Sequence, residues 1–172
     1  GGKVPAVLVV HENRGLNPYI EDVARRLATA NFMAFAPDSL TSLGGYPGDD
    51  EKGGAMFGKL DREKMTEDFA AAASWLKARP DGTGRLGVTG FCFGGGVTWR
   101  VAVGLPELRA AVPFYGPPPS ADEVSAINAA VLAIYAERDA RITSSAATME
   151  TAMQQAGKTF EKAIYPNTDH AF

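Results

Sequence analysis

The chain has 172 residues, a formal charge of −3, 45% hydrophobic and 22% charged residues. This is the make-up of a single globular domain, residues 1–172, with room for a core. Its mildly acidic balance, without a clustered Lys/Arg run, sets aside nucleic acid and anionic membrane surfaces as partners. No apolar run is long enough to cross a bilayer. A single cysteine, Cys92, rules out an internal disulfide, and a free thiol fits a reducing, cytoplasmic compartment better than an oxidising one.

Strand-like and helix-like segments alternate from end to end, the pattern of an α/β domain with a mainly parallel sheet. Ala6 to Val10 reads as the first strand. Asn17-Pro18 supplies an N-cap and first-turn proline for a helix carrying Ile20, Val23, Ala24, Leu27 and Ala28 at helical spacing. Phe32 to Ala36 is the second strand. Residues 38–58, polar and glycine-rich, are expected to form one long loop that lines or covers a site. Asp61 to Arg79 predicts a helix closed by Pro80. Arg85 to Thr89 predicts a buried strand, and Gly95 to Val103 the helix after it. Then come a strand at Ala110 to Phe114, a proline-rich loop at 116–119, a short helical piece at 122–127, a strand at Val131 to Tyr135, a helix at Ser144 to Gln155 and a last strand at Phe160 to Tyr165. Pro113 belongs at its strand's end, or where its missing N–H goes unused.

Between the third strand and its helix lies Gly90-Phe91-Cys92-Phe93-Gly94. A sharp strand-to-helix turn in this frame strains its central residue and turns the side chain outward, which makes Cys92 a candidate nucleophile. The glycines fit a turn that brings two backbones too close for most side chains. The helix N-terminus behind the sulfur is expected to favour thiolate over thiol.

Functional groups in such sheets gather at the carboxyl ends of the strands. Those ends carry His11-Glu12-Asn13, Cys92, Tyr115, Glu137-Arg138-Asp139 and Asp169-His170. The order Cys92, Asp139, His170 matches the nucleophile, acid, histidine order of α/β-hydrolases. His170 is the candidate base. His11, the only other histidine, precedes the nucleophile at the strand end where that architecture builds its oxyanion loop. Asp139 has rivals in Glu137, whose side chain is expected to face elsewhere, and Asp169, adjacent to His170 and badly placed to reach its far nitrogen. Glu12 is a candidate holder of the resting thiol, and the backbone N–H groups of Asn13 and Phe93 are candidate oxyanion donors. Two histidines and one cysteine form no recognised metal-ligand spacing, and the glycine clusters match no dinucleotide or P-loop pattern, so neither metal nor cofactor is expected.

These motifs resemble the dienelactone hydrolase (carboxymethylenebutenolidase) family over nearly the whole chain: Val10-His11-Glu12 with Gly15, Gly90 to Gly95, Phe114-Tyr115-Gly116, Asp139 with Arg141-Ile142, and Asp169-His170-Ala171-Phe172. The resemblance implies a three-layer α/β-hydrolase fold and a Cys92, His170, Asp139 triad. In that reading Glu12 contacts the thiol until substrate binds, and Arg62 is a holder of a substrate carboxylate. Tyr115 is a further candidate substrate contact. The substrate is then a small lactone or ester, handled by a monomer or homodimer. A thioesterase or acyltransferase with the same triad is the alternative enzyme, and a thiol sensor the non-enzymatic one. The family's terminal helix has no counterpart after His170, so a chain truncated behind the histidine loop, with apolar sheet surface bare, is expected.

Overall fold

The computed structural model describes residues 2–172. Six strands, β1 (Val4–Val10), β2 (Met33–Phe35), β3 (Gly82–Phe91), β4 (Ala110–Phe114), β5 (Ala130–Ala136) and β6 (Phe160–Tyr165), pair in parallel in the order β2-β1-β3-β4-β5-β6. The helices are α1 (Pro18–Thr29), α2 (Asp50–Phe57), α3 (Arg62–Lys77), α4 (Phe93–Gly104), α5 (Ala140–Thr143) and α6 (Ala146–Gln155). This is an α/β-hydrolase fold. From β1 the chain moves outward to β2 and then returns to place β3 on β1's other side, so the strand order reverses between β1 and β3. In open α/β sheets the crevice at such a reversal is where ligands bind.

Alternation along the strands sends side chains to two faces. Ala6, Leu8 and Val10 of β1, with Leu86 and Val88 of β3, pack with Phe69, Ala73 and Leu76 of α3 and with Val97 and Val101 of α4. Met149 and Met153 of α6 extend this core over Val131 and Ala133 of β5. On the opposite face Val9 and Phe91 meet Ile20, Val23, Ala24 and Leu27 of α1. Among the described residues α1 is the only α-helix on that face. Beyond it an apolar groove of about 760 Å³ opens over Val7, Thr89, Val112 and Phe114, with Leu132 exposed further along the sheet.

Several helix starts follow from local chemistry. Asn17 accepts the Ile20 N–H at the head of α1, and Asp61 accepts those of Glu63 and Lys64 at the head of α3. Pro113 lies one residue from the end of β4, as its missing donor requires.

One expectation of the fold fails. Residues 38–58 are not one loop: a 3-10 turn covers Ser39–Leu43, and α2 follows, capped by Asp49 through the Lys52 N–H. Glycines read as loop signals are packing devices here, since a Cβ on Gly53 would sit 2.3 Å from the Arg14 carbonyl oxygen. The helix expected over 144–155 is α6, which begins two residues later at Ala146; the short α5 precedes it, and between them the Ser145 hydroxyl donates to the Ile142 carbonyl at 2.6 Å.

Candidate active site

Cys92 sits between β3 and α4 with φ 55° and ψ −111°, a conformation that costs a non-glycine residue about 1–3 kcal/mol and persists only where its surroundings impose it. They do so by backbone contact. The Cys92 N–H donates to the Phe114 carbonyl at 3.0 Å, and the Gly96 N–H to the Cys92 carbonyl at 3.1 Å. A Cβ on Gly90 would lie 2.2 Å from the Gly94 carbonyl oxygen, and one on Gly94 would lie 2.3 Å from the Val10 carbonyl oxygen. The GxCxG glycines are therefore required by close approach.

The expected preference for thiolate is not realised at rest. Burial pushes the Cys92 thiol above its ordinary range, the nearby Glu12 charge pushes the same way, and the Phe93 N–H and the Arg141 charge pull it down only in part. The helix N-terminus acts in the direction expected of it and is outweighed by desolvation.

Asp139 follows β5 and is buried, and its Oδ2 lies 2.5 Å from Nδ1 of His170. That bond fixes the ring and leaves Nε2 as the free nitrogen. Asp139 makes no side-chain cap for α5; its backbone carbonyl accepts the Ile142 and Thr143 N–H groups instead. The histidine loop is held from below: Glu137 accepts the Asn167 N–H at 2.7 Å, and the Arg138 N–H donates to the Thr168 carbonyl at 3.0 Å. Glu137 thus faces away from the His170 ring, as alternation predicts. Asp169 is exposed and lies 3.8 Å from Arg138. The Tyr115 ring packs edge-on to His170 at 5.0 Å and to Phe172 at 5.7 Å, linking the end of β4 to the histidine loop. Tyr115 adopts φ 35°, and Asn167 and Ala171 are also left-handed.

Glu12 is partly buried, and burial raises its pKa while the charges of Arg14 and His170 oppose that rise. Its charge acts on the Cys92 sulfur through space. Among the described residues no hydrogen bond joins that thiol to Glu12 or to His170. Asn13 and Phe93 line the same pocket, about 280 Å³, as Cys92 and Tyr115, and neither N–H donates to a backbone carbonyl.

Arg62, the first residue of α3, also lines the pocket. Two more arginines reach it that the sequence reading did not assign, Arg100 and Arg141. Arg100 is paired with Glu123 at 2.5 Å, whereas Arg62 and Arg141 make no ion pair among the described residues. Arg141 stands two residues beyond Asp139, and that spacing from a strand end was the available signal.

His11 is fully buried and does not line the pocket. Its Nδ1 lies 2.6 Å from the Glu12 carbonyl oxygen, and its Nε2 accepts the Ser39 N–H at 3.0 Å. Asp38 accepts N–H groups from Leu16, Leu40 and Tyr46, binding the loop after β1 to the loop after β2. Asp50 does the same one layer out, receiving Arg14, Asn17 and Tyr46. No helix is long and apolar enough to cross a membrane.

The fold, with a strained cysteine at the strand-order reversal and a His–Asp pair on the same rim, defines the class as α/β-hydrolase. The family model of the dienelactone hydrolase family matches residues 1–172, and the chain belongs to that family. A Salmonella typhi protein named "Putative carboxymethylenebutenolidase" is 34% identical over 186 residues, covering 99% of this chain and 68% of its own length. A Bradyrhizobium protein named "Probable 2-oxo-3-(5-oxofuran-2-ylidene)propanoate lactonase" is 33% identical over 192 residues, 99% of this chain and 74% of its own. The crystal structure named "Putative Dienelactone Hydrolase" from Klebsiella pneumoniae superposes with a TM-score of 0.82 at 35% identity, covering 99% of this chain and 77% of the other. The chain is a carboxymethylenebutenolidase-like hydrolase.

Proposed function

We propose that the protein hydrolyses lactones or carboxylic esters through an acyl-enzyme on Cys92. The observation that carries this reading is the 2.5 Å His170–Asp139 bond on the rim that also bears the Cys92 turn. With Nδ1 committed to Asp139, His170 uses Nε2 to take the thiol proton as sulfur attacks the carbonyl carbon. The C–O bond breaks, and the departing alkoxide or enolate takes the proton from His170. A water then gives its proton to His170 and attacks the thioester, releasing the acid and restoring the thiol.

Asn13 and Phe93 N–H groups serve the developing oxyanion. Glu12 keeps the resting sulfur protonated, since its charge opposes a second one nearby. Arg62 and Arg141, which line the pocket without an ion pair among the described residues, favour a substrate that carries a carboxylate, and Tyr115 packs against His170 in the pocket wall. The domain works as one unit over residues 1–172, without metal or cofactor. Cys92→Ala is expected to abolish turnover of dienelactone and of p-nitrophenyl acetate. Wild-type rates in that variant would sink the mechanism.

A further inference from the structure

We infer that His11 is a positioning residue of the oxyanion hole, setting the direction of the Asn13 N–H through the peptide plane that this N–H shares with the Glu12 carbonyl. The inference rests on Asn13 being an oxyanion donor. His11 has no exposed surface, and its ring lies edge-on to Phe57 and Phe69 at 6.3 and 5.5 Å. Because Nε2 accepts the Ser39 N–H, the proton of the neutral ring is on Nδ1, which donates to the Glu12 carbonyl at 2.6 Å. Burial favours that neutral form by lowering the ring's pKa, against the Glu12 carbonyl and Asp38.

No peptide bond among the described residues is cis, so the Glu12 carbonyl and the Asn13 N–H point in opposite directions. With the carbonyl drawn toward the buried ring, the N–H is turned the other way. Asn13 lines the pocket with Cys92 and Phe93, and His11 does not, so the N–H turned from the ring is the one left to the pocket. His11 touches neither sulfur nor substrate, and acts by holding a rigid plane at its far edge. The Ser39 bond makes the hold directional, since without an N–H donor on Nε2 the ring is free to place its proton there and lose the Glu12 bond.

The test combines kinetics with nitrogen-15 NMR. His11→Phe, which fills the site without a donor, is expected to lower kcat on a p-nitrophenyl ester about 10- to 100-fold with KM little changed. His11→Asn, which keeps a donor near the Nδ1 position, is expected to stay within a few-fold of wild type. Alkylation of Cys92 by iodoacetamide needs no oxyanion hole and is expected to be equal in all three. In the wild type, NMR is expected to find the Nδ1–H tautomer. An Nε2–H tautomer overturns the inference without any variant. Full kcat in His11→Phe, or equal loss in His11→Asn, overturns it too. Asn13→Pro deletes the N–H itself: full turnover there removes Asn13 from the oxyanion hole, whereas loss there with full turnover in His11→Phe overturns only the part given to His11.

Discussion

Cys92 sits in two opposed fields. The helix N-terminus and Arg141 favour its thiolate; burial and Glu12 favour its thiol, and the second pair prevails. Glu12→Gln removes one of the upward influences, the others being burial and the Asp139 charge. The midpoint of iodoacetamide alkylation against pH is therefore expected to move to lower pH in that variant, because a carboxylate that raises a neighbouring acid's pKa lowers it on leaving. An unmoved or higher midpoint would remove Glu12 from the control of the thiol. At this scale the sequence was legible where a residue type is rare or a frame is strict. The one cysteine in GxCxG and the two histidines left few assignments open. Arg141 offered only its spacing from the end of β5; that it lacks an acidic partner is a property of space and was not legible. The balance of fields on the thiol was misread for the same reason: a helix start is visible in sequence, and depth of burial is not.

The elements were found wherever apolar periodicity was long, and β4 and β6 match their expected bounds residue for residue. The miss came where glycine served packing, as in α2 with Gly53. The junction of β3 and α4 shows how closely elements meet at the site, since Gly94 has the Val10 and His11 carbonyl oxygens where a Cβ would go, at 2.3 and 2.6 Å. Gly94→Ala must push backbone against backbone, and is expected to cost about 3 kcal/mol, the upper end for overpacking, and to disturb the oxyanion loop. Gly104→Ala, at the far end of the same helix with open space around it, is expected to be neutral or to stabilise by up to about 1 kcal/mol. Urea unfolding of the two variants checks the pair, and equal midpoints would refute the crowding argument.

Across the whole molecule, the fold class was legible because strand and helix patterns alternate, whereas the strand order was not. Nothing in local periodicity says that β3 returns to pair with β1, yet that return brings Glu12 and Cys92 to one crevice. The two faces of the sheet are also unequally covered, with α3, α4 and α6 on one side and α1 on the other. On the α1 side an apolar groove lies over Val7, Val112 and Phe114. The native protein is expected to enhance the fluorescence of an apolar dye such as anilinonaphthalene sulfonate before any unfolding. Val112→Lys is expected to weaken that signal while leaving ester turnover intact. A native state dark to the dye would show the groove closed in solution.

Five residues other than glycine have positive φ: Asn31, Cys92, Tyr115, Asn167 and Ala171. Four of them stand at the edge where β3, β4 and β6 deliver the reactive groups. A library selected for heat resistance alone would gain from glycine at the exposed Ala171, where the backbone demand is one glycine meets without strain and no packed side chain is lost. Such a winner would loosen the loop that carries His170, its neighbour in sequence. The variants that best survive heating are thus expected to be drawn from this edge and to be poor enzymes, so a screen for stability in this protein has to read turnover in the same well.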